Sequence, residues 1–319
     1  MDVGGNEEAA RRDGISRDRP VASAGRPAIP GNARSGADRI GWIALLVGTA
    51  IIAWSGVLAR FLDIGPLAGA AWRMGLAVPA LAVWTSFGAR SRIVPATPAR
   101  YALPLVLAGL AFAVDVGSFH IALTGTKVAN ASFIGNVAPI LAVIGGALFF
   151  GERPPVRVWP ALALALAGCW VMAGMTAPNR VGFGDALALN AAAAYAAYLM
   201  FIKTVRSGLD GATATLWSAA VSAVALTIAA SLHGEKMIPS TPLGWSIVVL
   251  LGVVSHAMGQ GLTSVAVGRV PVSLVAVVIL ALPPFSALLA WGVLGEAMTP
   301  LQMAGGAIIL AAVFLARPG

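Results

Sequence analysis

The stretch VANASFIGNVAPILAVIGGALFFGE, residues 128–152, decides the fold of this protein. It carries no charged residue before Glu152, and it has a proline, Pro139, near its middle. It is long enough to cross a bilayer as a helix, which takes about 20 apolar residues. We therefore predict a transmembrane helix here. Pro139 lacks a backbone donor, so it frees a carbonyl one turn upstream, near Gly135.

A second stretch of the same design follows 144 residues later, the separation between Pro139 and Pro283. The same shift brings further residues into register, namely Gly151-Glu152 with Gly295-Glu296, Trp54 with Tyr198, and Ala122 with Ala266. An internal repeat of five helices explains this register. The alternative is that segments rich in Ala, Val and Leu resemble one another by composition alone.

The composition extends this interpretation to the whole chain. Of the 319 residues, 58% are hydrophobic and only 11% are charged, whereas a soluble domain carries about 25% charged residues. With a mean hydropathy of +0.85, most of the surface faces lipid, so the bilayer is the predicted partner. The net charge of +8 does not indicate nucleic acid, because seven of the 21 basic residues precede residue 40 and most others lie between apolar runs.

The fold class we predict is an all-α polytopic membrane protein with ten transmembrane helices. The predicted spans are 40–60, 66–87, 101–124, 128–149, 156–175, 183–203, 211–232, 243–266, 270–294 and 300–316. Because each repeat holds five helices, an odd number, the second repeat is inverted relative to the first. Inverted repeats are typical of alternating-access transporters.

The predicted domains are a tail over 1–38, a first repeat over 39–177 and a second repeat over 178–319. The tail is rich in Gly, Pro, Arg and Asp and has no apolar periodicity, which predicts disorder. It has no hydrophobic stretch beside its arginines and does not resemble a cleavable signal peptide.

Basic residues set the predicted orientation in a bacterial-type inner membrane, with both termini cytoplasmic. Sixteen basic residues then lie inside: the seven before residue 40 and Arg90, Arg92, Arg100, Arg153, Arg157, Lys203, Arg206, Arg269 and Arg317. Four lie outside: Arg60, Lys127, Arg180 and Lys236.

The motifs also resemble a known family. AWSGVLAR at residues 53–60 is followed by GPLAGAAWR at 65–73, and the proline-containing helix runs into Gly-Glu in both halves. The chain is similar to the drug/metabolite transporter superfamily, in particular its EamA-type ten-helix exporters. That resemblance covers residues 40–316 and implies a central cavity that opens alternately to each side. It implies amino acids, other metabolites or organic cations as substrates, and bacterial amino-acid exporters are closer than nucleotide-sugar carriers.

The other functional classes lack their motifs. There is no Asp-rich loop, HxxxD-like pair or P-loop, which argues against a membrane-embedded transferase, the enzymatic alternative, and against an ATP-driven pump. With one cysteine, Cys169, and three scattered histidines, the sequence predicts no metal site and no cofactor. A two-fold repeat of ten helices favours a monomeric carrier over a channel. We predict a secondary exporter of amino acids or similar metabolites. Facilitated or antiport movement of organic cations or nucleotide sugars is the alternative.

Three ionisable residues within the spans are candidate charge sites, because such groups are costly in hydrocarbon. Asp115 suits a proton or cation site, and its alternative role is a hydrogen bond to Ser118 or a structural ion pair. His120 lies five residues later, near the outer interface. Arg73 suits pairing with Asp63 or Asp115, snorkelling to the surface, or binding a substrate carboxylate.

Uncharged polar and aromatic residues within the spans are the candidate cavity lining. His256 and Gln260 share a helix face at i and i+4, with helix–helix hydrogen bonding as the alternative role. The other candidates are Trp54, Asn136, Asn190, Tyr195 and Tyr198, with Pro139 and Pro283 as hinges. Glu152 and Glu296 are predicted on opposite sides of the membrane. They either take part in gating or form hydrogen bonds at the ends of their helices.

Overall fold

A computed structural model describes Met1 and residues 31–87, 99–126, 128–174 and 182–317. Within these residues the chain forms helices and turns and no strand. The predictions for the tail before Gly31, for the loop containing Arg90 and Arg92, for Lys127, and for Arg180 lie outside the described residues. Contacts group Ala37–Gly319 into one compact unit, while Met1–Gly36 forms a separate unit, of which the structure describes Met1 and the helical residues 31–36.

Helices make up both halves of the chain. The first half contains α1 (Gly31–Leu58), α2 (Pro66–Ser86), α3 (Ala102–Gly125), α4 (Val128–Gly135), α5 (Ala138–Phe150) and α6 (Val158–Met172). The second contains α7 (Phe183–Val205), α8 (Gly211–Leu232), α9 (Pro242–Leu250), a π-helix (Leu251–Gln260), α10 (Gly261–Val267), α11 (Val272–Ile279), α12 (Leu282–Leu294) and α13 (Pro300–Ala316).

These helices confirm the predicted fold class. Eight continuous or broken helices of the described chain are long and apolar enough to cross a membrane, and two shorter apolar helices, α6 and α13, complete the ten. α4 with α5, α9 with the π-helix and α10, and α11 with α12 each form one span. The odd number of spans per repeat places the second repeat upside down relative to the first.

The first helix extends ahead of its membrane-spanning part. α1 starts at Gly31, and its membrane-spanning part begins at Arg39, beside the predicted start of the span at Ile40. No proline interrupts the sequence between Gly31 and Pro66, so nothing in the covalent structure stops the helix from extending ahead of its apolar part. The disorder of the tail stays a prediction.

The proline-containing spans are broken at equivalent positions. α4 ends in a tight turn in which the N–H of Val137 donates to the carbonyl of Ile134 at 3.0 Å, and α5 then begins with Pro139 in its first turn. In the other repeat, the N–H of Ala281 donates to Val278 at 2.9 Å, and Pro283 occupies the same place in α12. Proline fits the first turn of a helix because its missing donor has no partner there.

The two repeats interlock instead of packing side by side. α3 packs against α7 and α8, α2 packs against α8 and the π-helix, and α5 packs against α7 and α11. α6 and α13 pair through glycines: a Cβ on Gly168 would lie 2.8 Å from the carbonyl oxygen of Gly305. Helices of both repeats therefore surround the middle of the molecule.

One end of α2 is held by the turn that follows α8. Glu235 accepts a hydrogen bond from the N–H of Ala68 at 2.8 Å, and the indole of Trp72 donates to Met237 at 2.7 Å. Asp63 accepts from the N–H of Ser240 at 2.7 Å and lies 3.7 Å from the Lys236 ammonium. These contacts join the connection between α1 and α2 to that between α8 and α9.

Asp63 gives this junction a pH dependence. The N–H of Ser240, and to a smaller extent the charge of Lys236, lowers the pKa of the Asp63 carboxyl below its ordinary value of 3.8. A lowered pKa stabilises the folded state above the ordinary pKa, and that contribution is lost as pH falls through the folded-state value. We expect Asp63→Asn to lower the melting temperature slightly at pH 7, and by less at a pH well below 3.8. An equal difference at both pH values would contradict this assignment.

Candidate substrate site

A π-helix positions two of the predicted polar residues. Between α9 and α10 the chain widens into a π-helix over Leu251–Gln260, which turns His256 and Gln260 inward, each 2% exposed. Gly252 allows this segment to approach α2, because a Cβ there would lie 2.6 Å from Leu76 and 3.2 Å from the carbonyl oxygen of Arg73. π-helical segments are frequently found at functional sites.

Aromatic rings from three elements meet beside this segment. The ring of Phe112 on α3 lies 4.8 Å from that of Tyr198 and 6.5 Å from that of Tyr195, both on α7. It lies 5.4 Å from the imidazole of His256. Tilted ring pairs at these separations are favourable, and they hold the side chains in fixed positions.

Gln260 links the π-helix to α7. Its amide donates a hydrogen bond of 3.1 Å to the buried hydroxyl of Tyr198. One turn further along, the hydroxyl of Thr215 on α8 donates to that of Ser264 at 2.7 Å. The bond from Gln260 fixes the Tyr198 hydroxyl relative to the π-helix, within the second repeat.

Two opposite charges complete the arrangement. Arg73 on α2 and Asp115 on α3 are both half-buried, and they interact electrostatically. We call Arg73, Phe112, Asp115, Tyr195, Tyr198, His256 and Gln260 the central cluster.

Several buried polar atoms at or next to the central cluster have no protein partner. They are Nε of Arg73, Nδ1 of His256 and Oγ of Ser255, and such atoms also occur in Asp63, Arg157, Trp217 and Ser273. The ion pairs among the described residues are Arg60–Glu296, Glu152–Lys203 and Asp63–Lys236, and neither Arg73 nor Asp115 takes part in one. Buried polar groups are normally paired, so the unpaired atoms of Arg73 and His256 make the central cluster the candidate site for a polar ligand.

Other predicted residues lie apart from these contacts. Trp54 on α1 is 36% exposed. Asn136 is half-buried at the turn between α4 and α5. Asn190 donates its amide N–H to Ser118 at 2.8 Å, and His120 bonds the carbonyl of Val116 at 2.7 Å through Nδ1.

Sequence reasoning missed Phe112, Ser255 and Trp217. Phe112 lies one helical turn before Asp115, and this i, i+3 spacing is a signal that places both on one face. Trp217 lies on α8. Its unpaired indole nitrogen depends on the packing of α8 against α2 and leaves no signal in the sequence.

The two Gly-Glu pairs form reciprocal ion pairs between the repeats. Glu152, after α5, lies 3.3 Å from the ammonium of Lys203 at the end of α7, and it accepts from the N–H of Val272 at the start of α11 at 2.9 Å. Glu296, after α12, pairs with Arg60 in the turn just after α1. The Glu152–Lys203 side chains are 14% and 23% exposed, whereas those of Glu296 and Arg60 are 48% and 56% exposed.

The described residues form ten apolar helical spans in two interlocked repeats, with the central cluster between them, which is the architecture of a polytopic membrane protein. The model of the EamA-like transporter family matches residues 39–174 and 182–317. The chain therefore belongs to the EamA family of the drug/metabolite transporter superfamily.

Known proteins are similar over much of the chain. A probable terminal-alkyne amino-acid exporter of Streptantibioticus cattleyicolor is 29% identical over 58% of this chain and 63% of that protein. The threonine/homoserine exporter RhtA of Escherichia coli K12 is 30% identical over 52% of this chain and 56% of that protein. The uncharacterized transporter YwfM of Bacillus subtilis is 29% identical over 77% of this chain and 82% of that protein. The alignments thus span less than two thirds of the two exporters.

One solved crystal structure is similar in fold. It superposes with a TM-score of 0.73 and 20% identity, over 89% of this chain and 98% of the other chain. At that identity the likeness concerns the fold alone.

Proposed function

We propose that this protein is a secondary transporter that exports amino acids or similar small metabolites by alternating access. The central cluster carries the proposal. Its residues come from α2 and α3 of one repeat and from α7 and the π-helix of the other, so movement of the repeats against each other changes which side reaches it. Amino-acid exporters among the similar proteins support the substrate class.

We also propose an orientation of the protein in the membrane and a conformational state for this structure. The excess of basic residues in one set of loops supports cytoplasmic termini in an inner membrane. The buried Glu152–Lys203 pair then lies on the cytoplasmic side, and the exposed Arg60–Glu296 pair lies on the outer side. This difference supports a state closed to the cytoplasm and open outward. The breaks before Pro139 and Pro283 are the proposed hinges, and the carrier works as a monomer.

Counterflow in proteoliposomes tests this function. Vesicles loaded with an excess of unlabelled L-threonine are diluted into labelled L-threonine, and separate vesicles receive a nucleotide sugar or an organic cation in the same way. We expect transient, saturable accumulation of threonine above that in protein-free vesicles. Exchange of only the sugar nucleotide or the cation, by protein shown to be folded, would replace the proposed substrate class. Exchange of none of them would refute the proposal.

A further inference from the structure

We infer that Arg73 and Asp115 together bind a zwitterionic head group, with the guanidinium on a carboxylate and the Asp115 carboxylate on an ammonium. The inference rests on the proposed function and names the recognition chemistry of its site. It assigns one residue to each charge of an α-amino acid.

Arg73 has the properties of a carboxylate-binding group without a bound carboxylate. Its Nε is buried and unpartnered, although a guanidinium has five N–H donors to satisfy. A buried charge without a partner is costly, so a residue that only stabilised the fold would be paired. A planar guanidinium binds a carboxylate through two parallel hydrogen bonds, which fixes the orientation of the ligand.

Asp115 supplies the opposite charge from the neighbouring helix. It interacts with Arg73 electrostatically without forming an ion pair with it. A direct pair would satisfy both groups and leave no need for a ligand. Two opposite charges on neighbouring helices, which interact without forming an ion pair, match the adjacent carboxylate and ammonium of an amino acid.

The rest of the central cluster favours a substrate with an uncharged side chain. Phe112, Tyr195 and Tyr198 offer ring surfaces, and the hydroxyl of Tyr198 already accepts from Gln260. His256 has an unpartnered Nδ1, which can bond a polar group of the ligand. Arg73 and Asp115 are both occupied by the head group, so neither is left to neutralise a charged side chain.

Equilibrium binding of three ligands to the wild-type protein is the first test, and it needs no substitution. The probes are L-threonine, L-threonine amide, which lacks the carboxylate, and N-acetyl-L-threonine, which lacks the ammonium. Loss of a hydrogen bond to a charged group weakens binding by about 10- to 100-fold. We expect both analogues to bind more weakly than threonine by about this factor. Equal binding of either analogue and threonine would overturn the inference.

Substitutions then assign each charge to its residue. In Arg73→Met the preference for threonine over its amide should disappear, while the preference over N-acetyl-threonine remains. In Asp115→Asn the reverse should hold. Such ligand-by-residue cycles report the direct interaction, because a general loss of structure weakens all three ligands alike. Arg317→Met, which removes a cation near the carboxyl terminus, is the matched control and should keep both preferences.

The outcomes separate this inference from the proposed function. Threonine counterflow by the wild type with no change of preference in either variant would overturn the head-group assignment and leave the transport function standing. Absence of threonine exchange would refute the function itself. A variant that binds none of the ligands is replaced by Arg73→Lys, which keeps the charge but not the paired geometry. It should bind threonine more weakly and retain part of the preference, and unweakened binding would contradict the bidentate contact.

Discussion

Gly305→Ala is expected to destabilise the protein by about 3 kcal/mol, because the added methyl group has no space to move into. The new Cβ would lie 2.5 Å from the backbone nitrogen of Met172 and 2.6 Å from the carbonyl oxygen of Gly168. Both atoms belong to the backbone of α6, so relief requires α6 and α13 to separate. Close packing through small residues is a major source of attraction between helices in lipid. Reversible unfolding in mixed detergent micelles measures the change in free energy of unfolding.

Gly292→Ala is the matched control. Gly292 lies in α12, and a Cβ there meets nothing within 4 Å. Since alanine is a better helix former than glycine, we expect no loss of stability and a gain of up to about 1 kcal/mol. Similar losses in both variants would show that the α6–α13 contact is not what limits substitution at Gly305.

Glu152→Gln is expected to lower the free energy of unfolding by about 2 kcal/mol. The glutamine keeps an oxygen that can accept from the N–H of Val272, but it leaves Lys203 without its counterion in a site where the two side chains are 14% and 23% exposed. Removing one partner of a buried pair costs about 3–5 kcal/mol. We expect less here because Lys203 also donates to the carbonyls of Val267 and Val270.

Glu296→Gln provides the comparison at the equivalent place in the other repeat. Glu296 and Arg60 are largely exposed, and exposed ion pairs contribute about 0–1 kcal/mol. The loss for Glu296→Gln should therefore be under about 1 kcal/mol and should diminish in high salt. Losses of equal size in the two variants would mean that burial does not distinguish the two pairs.

The helices could be predicted from the sequence because the bilayer imposes both their length and their composition. The break in each proline-containing span was signalled by Pro139 and Pro283. The π-helix was not predicted, since the glycines at positions 252 and 259 show only that close packing is allowed.

The sequence predicted most residues of the central cluster, but it did not predict which of them lie close together. Arg73, Asp115 and His256 stood out because ionisable groups are rare in hydrocarbon. Which of them meet depends on the packing of α2, α3 and the π-helix, which no spacing along the chain encodes. Asn190 and His120 were candidates on the same grounds. In the structure, however, each forms a hydrogen bond to a residue of α3, Asn190 to Ser118 and His120 to Val116.

The reciprocal ion pairs have a consequence for how the carrier responds to electrolyte. Salt screens charges that water reaches and screens buried ones much less. Ionic strength on the face of the membrane that holds Arg60 and Glu296 should therefore alter how readily that face closes. The same change on the Glu152–Lys203 face should have little effect until that face has opened. The protein would thus respond differently to salt on its two faces. The face that is more sensitive to salt would alternate as the two faces open and close in turn.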